Sequence, residues 1–288
     1  MGKIVHLKYP GGKSKAFTIS YDDGVKSDLQ LLELMRKYGI RGTFNVNSRR
    51  HSNAKQLNLN RKHPIFDSEE LYSFYHENRD LIEIAAHGLT HGYYPYMAQD
   101  VATWEVLSDR KNLETLLGVQ CRGFAYPYGQ TDDKTVEAMK VCGFRYARVV
   151  KRTHGFGIPE DPFRWECTAK HTDPTLMEDA RKFVDLKDQY GKVPYLFSVW
   201  GHSYEFVDDD NWNVIEELFS YIGGRDDVWY CTNIEYFELL NAYRSLEYFA
   251  DQSKVYNPTA IPVELSVFCG IKEWRALKVL PGETVDID

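Results

Sequence analysis

The chain has 288 residues, of which 43% are hydrophobic and 27% charged, and its formal net charge is −7. This length suffices for one large α/β barrel or two ordinary domains, and the composition is typical of a globular protein with an ample core. The negative charge argues against a nucleic-acid or anionic membrane surface as partner. Five scattered cysteines without a CxxC pair argue against a zinc ribbon or a disulfide scaffold, so we expect reduced thiols.

No stretch of the sequence approaches the apolar length that a membrane span requires. Residues 1–8 contain no apolar segment of signal-peptide length. We therefore expect a protein without a membrane span and with a cytoplasmic location, unless a signal segment has been removed.

Short apolar runs alternate with amphipathic segments along most of the chain. The predicted strands are residues 16–20, 42–46, 81–86, 123–126, 144–150, 163–168, 193–200 and 228–232. The predicted helices are residues 29–38, 68–76, 100–117, 132–141, 174–190, 212–222 and 234–249, with Thr131 as the cap of the fourth. Residues 47–64 are predicted as a long polar loop and residues 93–96 as an aromatic loop. This alternation predicts a parallel sheet covered by helices, and seven or eight such units fit a distorted (β/α)7-8 barrel.

The last part of the chain has a different pattern. Residues 260–267 and 277–280 alternate between apolar and polar side chains, and a Pro-Gly turn follows the second run. This pattern predicts a small antiparallel β appendage that packs on the barrel, because it is too short for a core of its own. We therefore divide the chain into a barrel of residues 1–252 and a β-rich extension of residues 253–288.

Three predicted strands end in residues that can carry chemistry. An Asp-Asp-Gly sequence at 22–24 follows the first strand, His87 and His91 follow the third, and His202 follows the seventh. Taken alone, Asp-Asp-Gly is most often a turn, and a His-x-x-x-His pair also occurs by chance on solvated helices. The carboxyl ends of parallel barrel strands converge on one rim, however, so the conjunction favours a metal site with a base and an acid beside it.

These motifs resemble those of the polysaccharide deacetylase superfamily, whose domain is shared with chitooligosaccharide deacetylase. The resemblance covers residues 15–245 and includes five motifs in order. They correspond here to residues 21–24, 87–91, 125–128, 164–165 and 200–202. The first, second and fifth motifs are specific, whereas the third and fourth are degraded.

The resemblance implies a role for each matching residue. Asp23, His87 and His91 would bind a divalent metal, with Zn²⁺ favoured and Co²⁺, Ni²⁺ or Mn²⁺ as alternatives. Asp22 would be the general base, His202 the general acid, and the backbone N–H of Tyr128 a donor to the oxyanion. The implied activity is metal-dependent hydrolysis of an acetamido or acetyl ester group, a carbon-nitrogen non-peptide bond in the first case, on an oligo- or polysaccharide.

Two departures from the family pattern concern arginine. The family's third motif has an arginine, which pairs with the base, where Ala125 stands, and its fourth motif has an acidic residue where Arg164 stands. We predict that Arg164 points into the site and bonds to Asp22, with Arg148 as the second possibility. The alternative is that these arginines only pair with surface carboxylates.

Other interpretations remain open at this stage. Relatives of the allantoinase type open cyclic amides or imides, but they often lack the intact metal set. A non-catalytic carbohydrate-binding barrel would be consistent with the missing arginine. Two histidines and one carboxylate also suit non-haem iron oxygenases, although those usually place the carboxylate beside the first histidine. His154 and His171 lie in polar segments and are predicted to be solvated.

Overall fold

The computed structural model describes residues 4–187, 194–270 and 273–287. The strands are β1 Val5–Lys8, β2 Lys15–Asp22, β3 Gly42–Val46, β4 Ile82–Ala86, β5 Gly123–Ala125, β6 Tyr146–Arg152, β7 Trp165–Cys167, β8 Ala169–Lys170, β9 Tyr195–Gly201, β10 Val228–Tyr230, β11 Glu247–Tyr248, β12 Lys254–Tyr256, β13 Val263–Gly270, β14 Glu273–Val279 and β15 Thr284–Asp286. The helices are α1 Asp28–Tyr38, α2 Ser48–Ser52, α3 Ala54–Leu57, α4 Ser68–His76, α5 Gln99–Leu117, α6 Asp133–Val141, α7 Leu176–Asp185, α8 Ser203–Asp208, α9 Asn213–Ile222 and α10 Asn233–Arg244. Among the described helices, none is long and apolar enough to cross a membrane.

Strand β2 occupies the centre of the main sheet. It pairs in parallel with β3 on one side and β9 on the other, and its first three residues also pair with β10. All eight of its residues are buried, as expected for a parallel strand that is covered on both faces. The main sheet then runs in the order β7-β6-β5-β4-β3-β2-β9-β8. This is the parallel, helix-covered sheet that the alternation of the sequence predicts.

The two ends of this strand order meet, so the sheet is a distorted barrel. β7 pairs with β6, whereas β8, which begins two residues after β7 ends, pairs with β9. Thr168 is the residue between them, and it exchanges two hydrogen bonds with Ser198 of β9: Thr168 N–H to Ser198 Oγ (3.1 Å) and Ser198 N–H to Thr168 Oγ1 (3.2 Å). Residues 165–170 therefore close the barrel, because they pair with β6 before Thr168 and with β9 after it.

The faces of the barrel strands have different chemistry. Phe17, Ile19 and Tyr21 alternate along β2 and pack into the large apolar core beneath the helices. Because side chains alternate along a strand, Ser20 and Asp22 project to the opposite side, into the barrel. The interior is therefore polar towards the carboxyl ends of the strands, where Asp22 lies.

The C-terminal strands pack against the amino ends of the barrel strands. β13 pairs antiparallel with both β14 and the N-terminal strand β1, and β12 pairs with β11 and β15. Leu265 and Val267 of β13 share one apolar cluster with Tyr236 and Phe237 of α10. The predicted antiparallel appendage is thus present, and it recruits β1 from the other end of the chain. The division at residue 252 stays a prediction.

Several element predictions differ from the structure. Residues 47–64 contain the short helices α2 and α3 and a 3-10 turn at Asn58–Asn60, so the prediction of one long polar loop is wrong. The α6 cap is Asp132, which accepts the Thr135 N–H, and not Thr131. The predicted strand 163–168 is a 3-10 turn followed by β7, and the helix predicted to residue 249 ends at Arg244. The predicted end of a helix at Tyr190 lies outside the described residues.

We expect Thr168→Val to weaken the barrel, because valine keeps the shape but leaves the buried Ser198 N–H without its acceptor. The free energy of unfolding should fall by about 1–3 kcal/mol, measured by urea denaturation. Thr103→Val is the control, since its hydroxyl donates only to the Gln99 carbonyl within α5. This control should change stability by less than about 0.5 kcal/mol. Equal effects of the two variants would contradict the assigned role of Thr168.

Candidate functional site

The predicted site residues converge at the carboxyl ends of three strands of the barrel. Asp22 ends β2 and Asp23 follows it, His87 follows β4, and His202 follows β9. Each of Asp23, His87 and His91 offers one ligand atom, and these three atoms lie within 4.8 Å of one another. The structure therefore brings the three predicted metal ligands together.

A left-handed turn lets two consecutive aspartates reach one site. Neighbouring side chains on a strand point to opposite faces. Asp23, however, has φ 79° and Gly24 has φ 60°, so the chain leaves the strand geometry at this point. Asp residues tolerate this conformation better than most, and at Gly24 a Cβ would lie 2.6 Å from the His51 ring. The turn therefore favours the Asp-Asp-Gly sequence on conformational grounds alone.

The two histidines are held with ring nitrogens available for a metal. His87 Nδ1 lies 2.8 Å from the Ala125 carbonyl oxygen, and because a carbonyl only accepts, Nδ1 carries the hydrogen and Nε2 keeps its lone pair. The Asp109 carboxylate accepts a hydrogen bond from the backbone N–H of His87 (3.2 Å), and the Glu105 carboxylate accepts one from the backbone N–H of Thr90 (3.1 Å). The long helix α5 therefore fixes the loop that carries both histidines.

The electrostatics of these histidines keep them neutral. Burial lowers the pKa of His87, and the nearby Asp22 and Asp23 offset this effect only in part. Burial, together with the neighbouring His87, lowers the pKa of His91 to about 4. Neutral imidazoles are the form that binds a metal. Two neutral imidazoles and one carboxylate on separate strand ends fit a divalent ion such as Zn²⁺.

Asp22 forms a buried ion pair with Arg148 of β6. Arg148 Nη2 lies 2.5 Å from both carboxylate oxygens, and Asn45 Nδ2 donates to Oδ1 at 2.8 Å. The Arg148 side chain is fully buried, and it also donates to Ser20 Oγ and lies over the Trp200 ring. Burial alone would raise the pKa of Asp22, but Arg148 and the two nearby histidines outweigh it and lower the pKa to about 2. Asp22 is therefore ionised at neutral pH.

The predicted contact between Arg164 and Asp22 is wrong. Arg164 is 38% exposed, and it pairs with Asp133 and Asp161 outside the barrel. It lines a cleft of about 850 Å³ together with Gly129, Arg152 and other residues. Arg164 lies in the 3-10 turn before β7, whereas Arg148 lies on a barrel strand in register with Ala125. The second possibility named from the sequence, Arg148, makes the contact.

His202, which follows β9, lies close to Asp22. Its Nε2 lies 3.9 Å from Asp22 Oδ2, and its Nδ1 lies 3.3 Å from Glu205 Oε1. His171, predicted to be solvated, is instead buried, with Nδ1 3.0 Å from the Tyr21 hydroxyl oxygen and Nε2 2.9 Å from Glu205 Oε2. His154, by contrast, is about half exposed, as expected, and pairs with Asp179.

Sequence reasoning missed three residues that contact the predicted set. Arg50 of α2 donates to Asp23 Oδ1 at 3.0 Å, from a segment predicted to be a loop. Asn45 on β3 and Glu205 on α8 contact Asp22 and His202. Asn45 is the penultimate residue of a predicted strand, and a polar side chain near the carboxyl end of a strand is a signal from which a site residue could have been predicted. Arg50 and Glu205 carry no comparable signal.

A row of tyrosine rings leads away from the histidines. The His91 and Tyr128 ring centroids are 4.8 Å apart, Tyr128 and Tyr93 are 5.9 Å apart, and Tyr93 and Tyr96 are 4.8 Å apart. Tyr96 is 88% exposed and Tyr128 is 59% exposed. Tyr128 also has φ 60°, so its turn is strained at the edge of the site.

Comparisons with known proteins agree with the fold and the motifs. The profile of the polysaccharide deacetylase family matches residues 10–147. A protein assigned as a polysaccharide deacetylase from Mycobacterium smegmatis superposes with a TM-score of 0.58 at 16% identity, over 85% of this chain and 95% of that chain. A mutant, with restored enzymatic activity, of a carbohydrate esterase family 4 pseudoenzyme from Bacillus anthracis gives 0.50 at 13% identity, over 81% and 70%. The family 4 carbohydrate esterase from Streptomyces lividans in complex with acetate gives 0.48 at 14%, over 75% and 91%.

No similar sequence was found among curated proteins. The profile match spans the segment that contains the Asp-Asp-Gly and His-x-x-x-His motifs. The resemblance to the polysaccharide deacetylase superfamily is therefore confirmed, and the fold is that of its distorted barrels.

We expect Arg148→Met and Arg164→Met to differ strongly in stability. The first leaves the Asp22 carboxylate buried and uncompensated, which should lower the free energy of unfolding by about 3–5 kcal/mol. The second removes only exposed ion pairs, which contribute less than about 1 kcal/mol. Urea denaturation of both variants at neutral pH measures the difference. Combining Arg148→Met with Asp22→Asn should recover part of the loss, and no recovery would contradict a buried ion pair.

Proposed function

We propose that this protein is a metal-dependent hydrolase that removes acetyl groups from an acetylated oligo- or polysaccharide. The observation that carries the proposal is the grouping of three metal-ligand atoms within 4.8 Å beside Asp22 and His202. Asp23, His87 and His91 would hold the ion, with Zn²⁺ favoured by the nitrogen and oxygen donors. When bound, such an ion polarises a carbonyl group and lowers the pKa of water.

The remaining steps are assigned to residues of the chain. Asp22, ionised and fixed by Arg148, accepts a proton from the water that attacks the acetyl carbon. The backbone N–H of Tyr128 donates to the oxyanion that forms on the carbonyl oxygen. His202 then gives a proton to the leaving nitrogen or oxygen as its bond to the acetyl carbon breaks, and acetate and the free amine or hydroxyl result.

Two contacts argue against the alternative functions, a non-catalytic barrel and a cyclic amide hydrolase. A non-catalytic barrel was consistent with the arginine missing at Ala125, but Arg148 provides a guanidinium to the same carboxylate. A cyclic amide hydrolase of the allantoinase type would be expected to lack part of the metal set, and here all three side chains meet. These contacts favour the deacetylase.

Acetate release from a panel of N- and O-acetylated oligosaccharides, with and without chelator, tests the proposal. We expect Asp22→Asn to bind one divalent ion per chain but to lose turnover, because the variant keeps the ligands and lacks the base. His87→Ala should lose both the ion and turnover. Metal content by mass spectrometry and acetate release distinguish the two variants. Near wild-type acetate release by Asp22→Asn would show that the base is assigned wrongly.

The tyrosine row supports a sugar chain as the bound substrate, since exposed rings offer flat apolar faces next to the metal ligands. We expect Tyr96→Ala to raise KM for a long oligosaccharide about two- to tenfold, because a stacked ring contributes about 0.5–1.5 kcal/mol. KM for an acetylated monosaccharide should not change, because it does not reach Tyr96. Tyr72→Ala on α4, also exposed, is the control. An equal change for both substrates would contradict an extended saccharide site.

A further inference from the structure

Glu205 lies at the centre of a polar network that includes His202, Lys170 and His171. It lies on α8, one turn after His202, and its Oε1 is 3.3 Å from His202 Nδ1 and 2.7 Å from Lys170 Nζ. Its Oε2 is 2.9 Å from His171 Nε2. The side chain is only 21% exposed, so these contacts are largely removed from water.

The network fixes which atoms carry hydrogen. Burial lowers the pKa of His171, and Nε2 of the neutral ring carries the hydrogen because it faces the Glu205 carboxylate, which only accepts. His171 Nδ1 then accepts from the Tyr21 hydroxyl, whose pKa burial raises well above its usual value. Burial alone would raise the pKa of Glu205, but His171, His202 and Lys170 outweigh it and hold the pKa well below its usual range. Glu205 is therefore a carboxylate that accepts a hydrogen bond from Lys170 Nζ and faces His171 Nε2 and His202 Nδ1 at ion-pair distance.

The barrel closure places this carboxylate. Lys170 ends β8, the short strand that closes the barrel against β9, and His171 follows it directly. The His171 ring occupies the space above Gly201, where a Cβ would lie 1.9 Å from its Nδ1. Two donors from the closing strand and a glycine in β9 thus fix Glu205 independently of the metal ligands.

We propose that Glu205 is the positioning residue of His202, holding Nδ1–H so that Nε2 is directed at Asp22 and the substrate. This inference rests on the proposed function of His202 as the proton donor. In the family pattern an acidic residue would stand at Arg164, and here that residue is an exposed arginine. The carboxylate comes instead from the helix that begins directly after His202.

The charges that face His202 are Asp22, Asp23 and Glu205, with Lys170 and His171 behind Glu205 and the Tyr204 ring on one side. Burial alone would lower the pKa of His202, but the carboxylates, with Glu205 first among them, reverse the direction and raise it. Glu205→Gln should therefore lower the pKa of His202 and weaken its preference for the Nδ1–H form. Asp208→Asn, a carboxylate on the same helix that pairs with Lys62 and His63, is the matched control.

Nitrogen-15 NMR of the full chain, with and without Zn²⁺ and at a pH above the pKa of His202, reads the tautomer of the neutral His202 ring directly. We expect Nδ1–H in the wild type and in Asp208→Asn, and a mixture of tautomers with a lower pKa in Glu205→Gln. An Nε2–H tautomer in the wild type would overturn the proposal without any variant. This measurement needs no substrate, so it decides the positioning role even if no acetate release is found and the proposed function fails.

Kinetics provide the second test. Glu205→Gln should lower kcat about tenfold or more and leave KM unchanged, because Glu205 acts only through His202. In a His202→Ala background the same change should have less than about a threefold effect, since the residue that it positions is already gone. An equal loss in both backgrounds would overturn the proposal and show that Glu205 is only structural.

Discussion

The buried ion pair between Asp22 and Arg148 is the constraint on which the arrangement of side chains at the carboxyl ends of the barrel strands depends. Both side chains are removed from water, and an isolated charge in such a place would be strongly unfavourable. The structure compensates with Asn45 on Asp22, Ser20 on Arg148 and the face of Trp200 against the guanidinium. The interior of the barrel is therefore polar where a packed apolar core would otherwise be expected. The same interaction keeps the carboxylate ionised and fixed in direction.

The position of Arg148 also explains how the chain tolerates alanine at position 125. Ala125 and Arg148 are partners in the register of β5 and β6, and neighbours in register in a parallel pair point to the same side. The guanidinium therefore reaches Asp22 from the next strand at the same height in the barrel. Ala125 still contributes its carbonyl oxygen, which orients His87. An arginine in the turn before β7 has no comparable path to the interior.

The order of strands and helices and the metal-ligand set could be predicted because both depend on local patterns. Apolar runs mark the strands, and their carboxyl ends converge in any parallel barrel. The contacts made by Arg50, His171 and Glu205 could not be predicted in the same way. Each joins segments distant along the chain or belongs to a helix of only five or six residues, in which no periodic pattern can develop. Polar residues in such segments are indistinguishable from solvated ones until the fold is known.

The three histidines of the site have pKa values shifted in different directions because their environments differ. His87 and His91 are buried against each other, and the resulting loss of hydration lowers the pKa of both, which favours the neutral form that binds a metal. His202 lies between carboxylates, and its pKa is raised, which favours the protonated form that can act as an acid. The same side chain type is therefore suited to two different roles within one site. Glu205 contributes to this difference in pKa because, of the three site histidines, it contacts His202. Helix α8, which carries Glu205, begins after β9, whereas His87 and His91 lie in the loop that follows β4.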